Sequence, residues 1–213
     1  MLRVFMNKNS LLTGARIFFA FLGFSGVITE IVTLRERGTL IPAQFFSYFT
    51  IESNLIAVVV LILSALPPAN KTQRERIALL RGSSSLNMIV VGIVFSLLLA
   101  GLEGNLTAAP WTNISLHYIM PAFVAFDWIM DLPKTRIAFR PALVWMIFPT
   151  VYLTYSLIRG HFVGWYPYPF LNPTEQGYPG VAVTCIGIAL GTTLLTWMLA
   201  RFTGRVGTPG VRR

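Results

Sequence analysis

Six apolar runs divide this chain, at about residues 12–34, 45–66, 78–100, 112–131, 139–158 and 181–201. Each is near the roughly 20 residues needed to cross a hydrocarbon layer as a helix. In lipid the backbone must satisfy its own N–H and C=O groups, so runs of this kind leave an all-α integral membrane protein with six transmembrane helices as the expected fold. Composition agrees: 54% of the 213 residues are hydrophobic and 12% charged, and the mean hydropathy is +0.66. The first run is longer than a signal-peptide core and no small-residue cleavage site follows it, so it counts as a span.

Lys and Arg set the expected orientation, because they collect on the cytoplasmic side of a membrane. If the six runs alternate, 14 of the 17 basic residues fall on one side, and only Arg35, Arg37 and Arg159 fall on the other. An even number of spans in the plasma membrane, with both termini cytoplasmic, follows. The net charge of +9 is spread between apolar runs rather than gathered on one face, which argues against a nucleic-acid partner and for membrane lipids. No repeat or linker interrupts the chain, so residues 1–213 are expected to form one domain. The segment 159–180, RGHFVGWYPYPFLNPTEQGYPG, is too rich in Pro for a long helix. Its Trp and Tyr favour the membrane interface, and it is expected to form an external cap.

Two histidines and one cysteine, Cys185, offer no metal-ligand cluster and no disulfide. Neither a phosphate-binding glycine loop nor a GxSxG or HExxH motif occurs, so no metal or cofactor is expected. Six spans without an internal repeat or paired broken helices also lack the usual signs of a transporter.

What remains is a set of polar residues inside apolar runs. Thr50 and His117 each lie five residues after the external start of a run, which at about 1.5 Å per residue places them at similar depth. Ser47, Thr50 and Asn54 share one helix face, as do Asn113, His117 and Pro121. Glu52 points about 200° from Thr50. Pro121 lacks the N–H that would bond the His117 carbonyl, which predicts a local bend. Glu30, Glu103, Arg159 and His161 reach the same outer zone, together predicting a polar pocket that opens outward. Each residue also has a plainer role: Thr50 bonding back to the Phe46 carbonyl, or His117 and Asn87 joining helices by a hydrogen bond. Asp127 and Asp131, near Lys134, Arg136 and Arg140, suggest an interfacial ion-pair cluster on the inner side. The N-x-[ST] matches at Asn105 and Asn113 carry no claim.

Three segments, YFTIESNL with Thr50, WTNISLHYIMPAF with His117, and VYLTYSLIRG with GWYPYPFL, resemble in order the signatures of the androgen-induced-protein-like family of membrane proteins. The nearer likeness is to a bacterial branch with YFT-x-[QE]SN and WYPYPFL motifs. Animal members are intramembrane threonine hydrolases that cleave fatty acid esters of hydroxy fatty acids, and the resemblance implies a lipid ester substrate here. It places the nucleophile at Thr50 and the general base at His117. Asn54, Asn113, Arg159 and Glu30 are candidates for oxyanion donors or for orienting His117. Trp165, Tyr166, Tyr168 and Phe170 are candidates for a substrate cap. Glu52, Ser53 and Asn54 after the threonine depart from the animal pattern. A non-enzymatic protein that binds lipid or a small molecule is the alternative implied by the same pocket.

Overall fold

The computed structural model describes residues 8–101 and 107–204, and among these no strand occurs. Glu103 and Asn105 lie outside the described residues. Helix α1 spans Lys8–Glu36, a short turn α2 Pro42–Phe45, α3 Phe49–Ala65 and α4 Lys71–Val94, which runs on as a π turn over Phe95–Leu99. Helix α5, Pro110–Ile114, passes through a π turn Ser115–Ile119 into α6, Met120–Met130. Helix α7, Phe139–Ala142, passes through Leu143–Met146 into α8, Ile147–Val163, and a 3-10 turn at Pro169–Leu171 precedes α9, Pro173–Arg201.

Local chemistry marks these boundaries. At the start of α4 the Asn70 side chain accepts from the Gln73 N–H at 2.8 Å while Gln73 Oε1 accepts from the Ala69 N–H at 2.6 Å, a reciprocal cap. Helix α8 ends at Gly164, whose φ of 70° suits a residue without Cβ. Pro42 opens α2, so the second apolar run is not helical from its first residue as its hydropathy suggests. Helix α3 begins at Phe49, which puts Thr50 in its first turn.

Among the described residues, four helices are long and apolar enough to cross a membrane: Ser10–Glu36, Lys71–Leu99, Phe139–Val163 and Pro173–Arg201. Helix α3 is apolar but has only 17 residues, and residues 110–130 carry Asn113, His117 and Asp127 within three joined segments. These two shorter stretches pack against the longer helices, α3 on both α1 and α4, and α6 on α4. Their central contact is apolar, with Ala20, Val58, Leu61, Met88, Met120 and Phe123 together and Phe19 stacked on Phe123 at 3.7 Å. The perimeter is apolar as well: Phe21, Leu97, Phe162 and Val183 are each at least 70% exposed, a surface suited to lipid rather than water.

Antiparallel packing gathers polar residues at two opposite ends. At one end Arg16 of α1 and Arg81 of α4 clamp the two aspartates that close α6. Arg16 donates to Asp127 at 2.6 Å and to Asp131 at 2.6 Å, and Arg81 donates to Asp127 at 2.8 Å. Arg16 also reaches the Ser64 carbonyl of α3 at 2.8 Å. The ion-pair cluster expected around Asp127 and Asp131 is therefore built from these two arginines rather than from Lys134, Arg136 and Arg140. Closeness in sequence pointed to the latter group, but packing brings in side chains 111 and 46 residues away.

Candidate functional site

At the opposite end the first turn of α3 meets the cap and α8. Helix N-termini leave N–H groups without intrahelical partners, and here two phenols supply acceptors. The Phe49 N–H donates to the Tyr152 hydroxyl at 3.1 Å, and the Thr50 N–H donates to the Tyr168 hydroxyl at 3.4 Å. Tyr152 in turn donates to the Ser47 carbonyl at 2.9 Å. Ser47 Oγ, not Thr50, bonds back along the chain, to the Ala43 carbonyl at 2.6 Å. The back-bond expected for Thr50 is absent because α3 starts only one residue before it.

His117 lies in the π turn of the facing helix. There the Met120 N–H bonds to the Ser115 carbonyl, so the disruption expected at Pro121 takes the form of a widened turn just before it. Gly92 of α4 allows the approach, since a Cβ there would stand 3.2 Å from Pro121 Cβ. A second π turn, Phe95–Leu99, faces the first, and Phe95 stacks on the His117 ring at 3.9 Å. Nδ1 of His117 lies 3.2 Å from the Asn113 carbonyl. A carbonyl only accepts, so in the neutral ring the hydrogen sits on Nδ1 and the Nε2 lone pair is left to accept a proton.

Asn54 brings these two elements level. Its amide donates to the Thr50 carbonyl at 2.9 Å and to the Leu116 carbonyl at 3.2 Å, tying the residue before His117 to Thr50. Thr50 and His117 are buried, 8% and 5% exposed, and line one cavity of about 220 Å³ together with Glu30, Arg37, Thr107 and Tyr168. No hydrogen bond joins the two side chains directly. Thr50 also lines a second cavity of about 180 Å³, bounded by Phe49, Val91, Phe95, Leu153, Phe170 and Ile188 among others. Thr50, Leu99 and Tyr168 belong to both walls. Thr50 thus lies in the wall shared by two chambers, one of mixed lining, where Leu34, Phe45, Ile51 and Leu116 stand beside the polar groups, and one almost wholly apolar.

The remaining candidates separate. Glu30 faces the chamber it shares with His117 but is engaged, accepting from the Ala108 N–H at 2.7 Å, the Ala109 N–H at 3.3 Å and the Thr112 hydroxyl. It serves as the anionic cap of α5. Asn113 orients His117 through its backbone, not its side chain. Arg159 is outside the chamber: it donates to the Ala43 carbonyl at 3.3 Å and lies 5.0 Å over the Trp165 ring. Tyr166 packs against Gly160, where a Cβ would come within 2.1 Å of its ring. Phe170 stacks on Tyr168 at 5.1 Å, and Trp165 meets Tyr48 edge-on at 5.7 Å.

Sequence reading passed over Tyr152, Phe95, Arg37 and both π turns. For Tyr152 a signal existed, because Tyr152, Tyr155 and Arg159 are spaced i, i+3, i+7, and all three reach back to the Ala43–Ser47 turn. Burial holds the Tyr168 phenol in its neutral form, with its pKa pushed up to about 12. Compared with protein-family models, curated proteins and solved structures, the chain has no match.

Proposed function

We propose that this chain is a six-span hydrolase of the plasma membrane, with both termini cytoplasmic, that cleaves a lipid ester using Thr50 as nucleophile and His117 as general base. The observation that carries this reading is the position of Thr50 in the wall shared by a chamber of mixed lining, which also holds His117, and an apolar chamber. An amphipathic ester needs such a pair of environments: its acyl chain lies among Phe49, Val91 and Phe95 while its carbonyl reaches the threonine. The short helices 49–65 and 110–130 complete six crossings, with the Arg16–Asp127 end inward, as the distribution of Lys and Arg favours. The resemblance of YFTIESNL and WTNISLHYIMPAF to the androgen-induced-protein-like family supports the same assignment.

In the first half-reaction Thr50 Oγ attacks the ester carbonyl carbon as its proton passes to His117 Nε2. The proton then goes to the departing alcohol as the C–O bond breaks. Water activated by the same nitrogen releases the acid. Treatment of the folded protein with a long-chain fluorophosphonate tests this: wild type is labelled at Thr50, and Thr50→Ala and His117→Ala are not. Absence of label in folded wild type, or equal labelling of Thr50→Ala, supports instead a protein that holds an amphiphile in the same chambers without chemistry.

A further inference from the structure

Ester hydrolysis needs a hydrogen-bond donor for the oxygen that becomes negative as the nucleophile attacks. None of the four supporting candidates supplies one from the chamber wall. Glu30 is an acceptor already engaged by Ala108, Ala109 and Thr112. The Asn54 amide is spent on two carbonyls. Asn113 contributes its backbone carbonyl to His117, and Arg159 is turned to Ala43 and Trp165. Tyr168 differs from all of them. Its hydroxyl is on the candidate nucleophile, accepting the Thr50 N–H at 3.4 Å, and the residue lines both chambers while being only 7% exposed.

We infer that Tyr168 is a third catalytic residue, donating its phenolic hydrogen to the carbonyl oxygen of the bound ester as that oxygen gains charge. This rests on the Thr50–His117 reading above. An N–H cannot accept, so the phenolic hydrogen is not used in the bond from the Thr50 amide. Phe170 stacks on the Tyr168 ring and Tyr48 meets it at a steep angle, which fixes the donor before substrate arrives. The start of α3 adds the partial positive charge of a helix N-terminus at the same place. No proton leaves Tyr168 in the step. Thr50 Oγ bonds to the carbonyl carbon, its proton moves to His117, and the carbonyl electron pair moves to oxygen, where it accepts the phenol. Collapse restores the carbonyl as the alcohol departs with the proton from His117.

The test compares p-nitrophenyl octanoate with its thionoester, in which sulfur, a poor acceptor, replaces the carbonyl oxygen. Wild type prefers the oxygen ester. Tyr168→Phe loses on the order of 10²-fold in kcat on the oxygen ester and loses that preference, with KM little changed. Tyr152→Phe, which removes the other phenol at this helix end, keeps the wild-type preference whatever its rates. Tyr168→Phe with wild-type rate and preference overturns the assignment while leaving the Thr50–His117 hydrolase standing. Folded wild type inert to esters and to fluorophosphonate overturns both. Should Tyr168→Phe fail to fold, 3-fluorotyrosine in place of Tyr168 retains the phenol and sharpens its acidity. A changed preference with the fluorinated residue supports the role, and an unchanged one overturns it.

Discussion

The two ends of the bundle both bury polar groups, but they do so in opposite ways. At one end Arg16, Arg81, Asp127 and Asp131 form a closed set in which each charge meets its opposite at 2.6–3.2 Å, with the leftover donors on the carbonyls of Ser64 and Asp131. At the other end Thr50, His117 and Tyr168 face cavities, and the buried side-chain oxygens of Asn54 and Asn113 have no partner. A closed network holds helices together and leaves nothing to bind. An open one is where a ligand gains most, because its groups meet partners that are already desolvated.

The largest effect expected from breaking this contrast is at the closed end. Asp127→Ala removes the buried carboxylate shared by Arg16 and Arg81, leaving them only the half-exposed Asp131, and should cost about 3–5 kcal/mol of stability, read as a lowered midpoint in thermal or denaturant unfolding in detergent. At the open end the loss should be chemical: His117→Ala lowers acylation of Thr50 by roughly 10²–10⁴-fold while its unfolding midpoint stays near that of wild type. If the two mutations had the same signature, the contrast would collapse. Gly160→Ala sharpens it from the cap side. The added methyl meets the Tyr166 ring and should cost about 1–3 kcal/mol through overpacking, with faster proteolysis of the 159–180 segment as the readout. Asn54→Leu is expected to be the mildest, near 1 kcal/mol for the lost interhelical bond, but it should also slow labelling of Thr50, since the amide holds the Thr50 and Leu116 carbonyls level.

The two ends also differ in how far the sequence revealed them. Hydropathy located the six helical stretches, because length and apolarity are local properties, but it cut short the polar ends of three: the helices run from Lys71 rather than 78, to Val163 rather than 158, and from Pro173 rather than 181. It failed at 45–48, where Pro42 starts a separate turn and delays α3 to Phe49. Counting from the starts of the runs paired Thr50 with His117, but the helices begin one residue before Thr50 and seven before His117; the physical tie is Asn54, whose amide bonds both the Thr50 and the Leu116 carbonyls. The closed network was misread because its arginines come from other helices, and nothing near Asp127 in sequence announces Arg16. The π turns around Phe95 and His117 were equally hidden: Pro121 signals a disturbance, but its form depends on Gly92 of the facing helix. The inward reach of Tyr168 was missed for a related reason, since an aromatic, Pro-rich segment reads as an interfacial cap whether its rings point out or in.

The central claim is that Thr50, at the junction of the two chambers, carries the acyl group. Mass spectrometry of peptides from protein mixed with p-nitrophenyl octanoate and quenched within the first turnovers addresses it directly. The account predicts an octanoyl adduct on Thr50 that forms in wild type and is absent from His117→Ala. Turnover with the adduct on another residue, or with adduct formation indifferent to His117, would contradict it.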